Sequence, residues 1–481
     1  MSAGPDDRGL RRSFFQPAFG PLPGWPASPM TIGASRVQLI WSPLAGWVLL
    51  SCAATVAQAQ VDTPTPARQT LEQQTPQVDL PDIMSAPAGG PAPASSNELG
   101  ISVGAFTLYP ALEFDLGYDS NAFAQSQSQG TVASALALVR PSLTLQSEWL
   151  NHTLSIVASG GFGYYASAPT QNFQNYRIQA DTKIDIGYDF YLTGGIGFIR
   201  STEALGTPNV TFAQAPTVVY SLPARLALYQ KFNRLFYQLS VSATRYWYFD
   251  YSTISALGLP GTSRNRTDYD ESIRLGYEIL DGISLWIAPT LSQSVYAETM
   301  NSAGQQRDSS SFGLNLGTSI KTSAKTNIEA SIGTIRQTYL SDGSATSAFT
   351  FGLAGTWQVY EPLTLRPAIS RSINQSALSN YQNYLSTTVG IDFVYDIHGP
   401  WKAVGGLSYN TADYTPAFGL SGVNPRTDYF FKGSIGMLYD LRPQYSIGPV
   451  YEYTQGWTSD VAAGGPSYSR SLFSIRLVAR R

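Results

Sequence analysis

From residue 176 to residue 187 the chain alternates without a break. Tyr176, Ile178, Ala180, Thr182, Ile184 and Ile186 fall on one side of an extended backbone, and Arg177, Gln179, Asp181, Lys183 and Asp185 fall on the other. One face suits lipid and the other suits water. The pattern returns, to the last residue, in segments about 12 to 15 residues long separated by alternately tight and loose turns. It predicts an all-β fold, a transmembrane antiparallel up-and-down β-barrel of about 18 strands beginning near residue 104.

Tight turns are expected near Leu150-Asn151, Asp189-Phe190, Asn233-Arg234, Asp281-Gly282, Ala324-Lys325, Glu361-Pro362, His398-Gly399-Pro400 and Arg442-Pro443. They join adjacent strands in pairs, and one further strand at each end makes the number even. Successive turns lie about 40 residues apart, as two membrane-crossing strands, a short turn and a longer loop require. The looser connections, near 119–130, 166–174, 205–217, 250–268, 297–308, 340–347, 376–383, 415–427 and 458–467, carry the Ser, Asn, Gly and Thr of extracellular loops.

Facing follows from the alternation. Phe106, Leu108, Leu112, Phe114, Leu116 and Tyr118 are expected toward lipid, opposite Glu113 and Asp115. Phe349, Phe351, Leu353, Trp357 and Val359 stand opposite Thr350, Thr356 and Gln358, and Tyr445, Ile447, Tyr451 and Tyr453 opposite Ser446, Glu452 and Thr454. Trp149, Tyr188, Tyr191, Trp357, Tyr395, Trp401 and Tyr439, near strand ends, are expected in aromatic girdles. The last strand keeps the pattern, with Phe473, Ile475, Leu477 and Ala479 outward. The chain nevertheless ends in Arg480-Arg481 rather than in the aromatic residue that many outer-membrane barrels present to the assembly machinery.

Composition agrees. Charged residues make up only 13% of the chain, while 29 Tyr, 22 Phe and 9 Trp suit a protein with many interfacial aromatics. Beyond residue 59 no apolar run approaches the roughly 18 residues of a membrane helix.

Residues 1–59 read as an N-terminal extension and a signal peptide. Arg36 precedes the apolar stretch Val37 to Val56, and Ala57-Gln58-Ala59 forms a small-residue site, so cleavage is expected after Ala59. Translation from Met1 or from Met30 fits equally. Arg11-Arg12 resembles a twin-arginine signal, but prolines follow it. Leu49-Leu50-Ser51-Cys52 resembles a lipoprotein box but precedes the better site, and an uncleaved anchor is weakened by Pro43. Cleavage removes Cys52, the only cysteine, and takes the formal charge from −3 to −5 because four Arg and two Asp leave with the leader. That acidity predicts no nucleic-acid partner. Residues 60–103, rich in Pro, Gln and Ala, are expected to be a disordered periplasmic segment, and the barrel occupies 104–481.

Enzyme chemistry has little to stand on. The only histidines, His152 and His398, fall in expected periplasmic turns, so no triad is available at the outer rim, and no group has metal-ligand spacing. Gly160-Gly161-x-Gly163 and Gly194-Gly195-x-Gly197 lack the Lys-Ser/Thr and helix of a phosphate loop. No catalytic residue, metal or cofactor is expected. The residues expected to line a pore are Arg177, Lys183, Arg225, Arg274, Lys321, Arg366, Lys432 and Arg476, against Glu113, Asp115, Asp181, Asp185, Glu278, Glu329, Asp392, Asp440 and Glu452. The signs nearly cancel. Eighteen strands at about 4.8 Å spacing and about 40° tilt close into a wall roughly 35 Å across, wide enough for water. No loop is long enough to be an obvious internal plug, and the connection from Asp250 to Asp268 is the best candidate for a constriction.

The sequence Gly117-Tyr118-Asp119-Ser120-Asn121-Ala122-Phe123, followed by Val139-Arg140-Pro141-Ser142-Leu143 and Ser147-Glu148-Trp149-Leu150-Asn151-His152, resembles the putative outer-membrane β-barrel porin family. Members of that family open with a Tyr-Asp-x-Asn element and a Pro-Ser-Leu strand. The resemblance covers residues 104–481 in architecture and rests on motifs within the first 50 of them. It implies an outer-membrane barrel without shared catalytic residues, and some members are similar to barrels encoded beside exopolysaccharide secretion systems. Three functions stay open: a porin-like aqueous channel, the outer-membrane component of an exopolysaccharide exporter, and a structural or adhesive barrel. The expected partners are outer-membrane lipid, the outer-membrane assembly machinery and, for the exporter alone, periplasmic polysaccharide-export proteins.

Overall fold

A computed structural model describes residues 100–208, 216–249, 261–298, 307–323, 326–340, 343–417, 422–460 and 465–481. The leader, most of the Pro-rich segment, the Ala324-Lys325 turn and most of the 250–268 connection lie outside the described residues.

A short strand β1 (Ile101–Val103) pairs back on β2 (Phe106–Asp119). The wall then runs through β3 (Ser134–Ser147), β4 (His152–Tyr165), β5 (Phe173–Gly187), β6 (Phe190–Glu203), β7 (Thr217–Phe232), β8 (Leu235–Phe249), β9 (Arg266–Leu280) and β10 (Ile283–Tyr296). It continues through β11 (Ser309–Ser323), β12 (Thr326–Tyr339), β13 (Ala345–Tyr360), β14 (Leu363–Gln375), β15 (Tyr381–Asp396), β16 (Trp401–Pro416), β17 (Arg426–Arg442), β18 (Tyr445–Thr458) and β19 (Tyr468–Arg480). Each strand pairs antiparallel with the next, and β19 pairs with β2, Leu472 opposite Asp119 and Arg480 opposite Ala111. The result is a closed antiparallel barrel of 18 strands, β2 to β19.

Closure satisfies the backbone of each barrel strand, β2 to β19, without an open edge, the condition for a sheet in hydrocarbon. Among the described residues, short turns alternate with longer connections. Asp189 (φ 49°), Asn233 (φ 55°) and Gly282 (φ 74°) take the left-handed conformation that tight hairpins need and that Asn, Asp and Gly tolerate. Two turns sit one residue from their expected places, because β6 begins at Phe190 and β17 runs through Arg442.

The period of two divides the wall into faces. Leu116, Ile178, Ile196, Leu407 and Ile435 are all more than half exposed, which in a barrel places apolar surface on the outside. Aromatic pairs stud the turn-side rim, including Phe106 with Trp149 and Trp401 with Tyr439. Tyr191 is a correction to the girdle. It shares parity with Gly195, where a Cβ would meet Asp181 and Arg225, so it points inward, stacked on Tyr229 with the Lys183 ammonium 4.6 Å from its ring centre.

Candidate functional site

The interior is built from the inward residue of each alternating pair. Most of its charges meet an opposite charge, on the adjacent strand, one or two strands further round the wall, or two residues along the same strand. At the seam where the chain closes on itself, Glu113 and Asp115 of β2 bind Arg140 of β3 on one side. On the other side they bind Arg476 of β19, whose Nε lies 2.7 Å from Glu113 and 3.0 Å from Asp115. Asp181 meets Arg225 at 2.5 Å and Lys183 meets Asp185 at 2.6 Å. Lys231 meets Glu278 at 2.5 Å, Lys402 meets Asp440 at 2.9 Å and Lys432 meets Glu452 at 3.3 Å. Arg274 reaches Glu329 at 2.9 Å over the face of Trp286, which lies flat against Gly317, where a Cβ would overlap the indole. Of the remaining expected residues, Arg366 stands opposite Asp392 in register, Arg177 donates to Ser159 Oγ at 3.1 Å, and Lys321 sits near the turn end of β11.

Between β10 and β16 the middle of the same face is uncharged and rich in hydroxyl and amide groups. Thr350 donates to Asn315 at 3.2 Å across β12, and Asn410 donates to Ser386 at 2.9 Å and Thr388 at 2.7 Å. Thr290, Ser292, Ser370 and Ser372 continue this lining.

A second tier of charges lies at the loop ends, and it was not foreseen from the sequence. Arg264 grips Glu203 with bonds of 2.9 and 2.7 Å and lies 4.1 Å from the Tyr248 ring centre. Arg266 pairs with Asp268 and lies against Tyr246, Arg307 lies against Tyr296 and donates to the Ser376 carbonyl, and Arg426 binds Asp428 beside Tyr414. Arg266 and Asp268 share the parity of Arg274 and Glu278 in β9. They were missed because the expected loop ran to residue 268, whereas the strand begins at 266.

The Tyr-Asp-x-Asn element has a definite job. Asp119 is fully buried and bound by Arg470, which also donates to Tyr165 Oη at 2.9 Å. Asn121 donates to the Gln125 carbonyl at 2.8 Å and the Ser469 carbonyl at 3.1 Å, and accepts from the Gln125 amide at 3.1 Å. The motif therefore locks the first loop inward against the last strand. Ala122, Leu136, Tyr165, Ala168 and Leu472 form an apolar cluster beneath it, and Tyr468 Oη reaches the Gly206 carbonyl of the loop after β6 at 2.9 Å. His152 Nδ1 accepts from the Asp185 amide at 3.2 Å on the opposite, turn-side rim, and His398 lies in a turn there.

With closure, outward apolar faces and the locked motif in place, the comparisons decide the family. The model of the family described as putative beta-barrel porin 2 matches residues 94–481. The chain belongs to that family. It is thus a porin-like β-barrel of the outer membrane. No curated protein matches it in sequence. Among solved structures it is similar to OccAB3 of Acinetobacter baumannii, at 9% identity over 78% of this chain and 99% of that one, with a TM-score of 0.41. It is also similar to OccK3 (OpdO) of Pseudomonas aeruginosa, at 9% identity over 78% and 95%, TM-score 0.40. The ferric enterobactin receptor PfeA of P. aeruginosa matches at 10% identity over 78% and 81%, TM-score 0.37.

Proposed function

We propose that the barrel is an aqueous channel passing small polar solutes with little preference for the sign of their charge. The observation carrying this reading is the pairing of the inward charges. The wall is hydrophilic, yet its ion pairs cancel most of the field that a solute would feel. The seventeen charged residues expected from alternation, Glu113 through Arg476, line this path, and Arg140, Lys231 and Lys402 join them. Swelling of proteoliposomes in neutral sugars tests it directly. Uptake of small sugars at comparable rates, falling with solute size, is expected, and no swelling by correctly folded protein contradicts it.

The second reading is the outer-membrane component of an exopolysaccharide exporter. The uncharged hydroxyl and amide lining between β10 and β16 favours it, because such groups exchange hydrogen bonds with sugar hydroxyls without holding ions. Genes for glycosyltransferases and a chain-length regulator beside this one would support export, and their absence supports the simpler channel. In either case the leader leaves after Ala59, so the mature chain begins at Gln60. Outer-membrane lipid and the assembly machinery are its partners, joined in the second reading by periplasmic export proteins.

A further inference from the structure

The outer face carries charge where a lipid-facing wall is expected to carry none. Among the described residues, four strand arginines share the parity of lipid-facing neighbours: Arg200 on β6, Arg245 on β8, Arg336 on β12 and Arg371 on β14. Arg200 stands opposite Tyr176 and Tyr220, and Tyr176 lies on the face of half-exposed Ile178. Arg245 stands opposite exposed Leu222, and Arg336 opposite exposed Phe312. Arg371 is two residues along from Ile369, whose partner Val389 is exposed.

Their depth is common. Arg200 and Arg336 lie three residues from the loop ends of their strands, and Arg245 and Arg371 lie four. That is about 10 to 14 Å along a strand. They fall on two pairs of strands, β6 with β8 and β12 with β14, each with one strand between, about 10 Å of sheet width. Along that strand Arg200 and Arg245 are offset by two residues and Arg336 and Arg371 by four. Aromatic rings flank three of them. Arg200 lies 5.9 Å from the ring centres of both Tyr176 and Tyr220, Arg245 lies 5.7 Å from Trp247, and Arg371 lies 5.8 Å from Phe351. Arg200 Nε donates to Tyr220 Oη at 3.3 Å, while Arg200 Nη1 and Arg371 Nε are buried and find no hydrogen-bond partner. Among the described strand residues the outward acids on this half are Glu271 on β9 and Asp413 on β16, and Asp413 accepts from Thr427 at 2.9 Å.

An arginine on the lipid face is costly in hydrocarbon and cheap only near the interface, where its head meets polar groups. A guanidinium held beside a ring can offer its remaining N–H groups and its charge to a phosphate. We propose that these four arginines hold the phosphate groups of lipid headgroups in the leaflet on the loop side, so that the barrel wears an annulus of selected anionic lipid. The proposal does not depend on what the lumen passes.

Native mass spectrometry of the full chain in detergent tests it, with a bisphosphorylated lipid A and its dephosphorylated counterpart as probes. The wild type is expected to retain the phosphorylated lipid with a preference of about tenfold or more, a difference two good ionic contacts readily supply. Arg200→Gln, Arg245→Gln, Arg336→Gln and Arg371→Gln combined should erase the preference, and the corresponding lysine variants should keep only part of it. Equal retention of the two lipids by the wild type overturns the proposal whether or not the variants fold. So does a folded glutamine variant that keeps the preference, or displacement of the lipid by an equal concentration of inorganic phosphate, which would assign the site to free anions.

Discussion

Ile184, Ile196 and Lys183 separate two properties of a barrel residue, its face and its depth. Alternation gives the face. Ile184 and Ile196 are 41% and 57% exposed on the outer wall, while Lys183 pairs with Asp185 inside. Depth needs the register. Ile184 stands opposite His152, the first residue of β4, and so lies at the turn-side rim, whereas Ile196 lies mid-strand opposite Ala180 and Ala224. Arginine at Ile196 is therefore expected to cost about 2 to 4 kcal/mol, arginine at Ile184 about 0 to 1 kcal/mol, and Lys183→Arg almost nothing. Equilibrium unfolding from vesicles measures all three, and equal costs at Ile184 and Ile196 would mean the membrane is misplaced along the strands. Tyr191 marks the limit of single-residue reading. Its place near a strand end suggested a girdle, but the turn at Tyr188-Asp189 starts β6 one residue earlier than expected and its ring faces the interior.

At the scale of elements the seam matters most, because β2 and β19 come from opposite ends of the barrel sequence. The strands themselves were legible, since each carries its own period of two. Their partnership in charge was not, because Arg476 and Asp115 are 361 residues apart and nothing local announces the contact. Arg140 was equally hidden, standing inside the Val-Arg-Pro-Ser-Leu motif that points to the family. Arg476→Met leaves two carboxylates sharing Arg140, and is expected to destabilise the barrel by about 2 kcal/mol, less than a fully buried pair would lose because Glu113 is partly exposed. Adding Glu113→Gln should recover part of that loss. Heat-modifiable gel migration reads both, and an unchanged midpoint for Arg476→Met would show that backbone pairing alone holds the seam. Asp119→Asn tests the loop lock in the same way, with the first loop expected to become accessible to surface protease while the barrel stays folded.

For the whole molecule, the reading of a channel rests on cancellation. Charge counting anticipated it, with nearly equal numbers of inward acids and bases. The loop-end tier of Arg264, Arg266, Arg307, Arg426 and Arg470 was invisible until the strand starts and inward-folded loops were placed, yet four of these five meet a carboxylate directly. Breaking one lumenal pair should therefore tilt selectivity in a chosen direction. Arg225→Gln frees Asp181, and should move the reversal potential toward cation preference without closing the pore. The most direct measurement is the current through the mature chain in a planar bilayer under a potassium chloride gradient. Stepwise openings with a reversal potential near zero are the expected result, and no conductance at any voltage, from protein whose heat-modifiable migration proves it folded, would contradict the account.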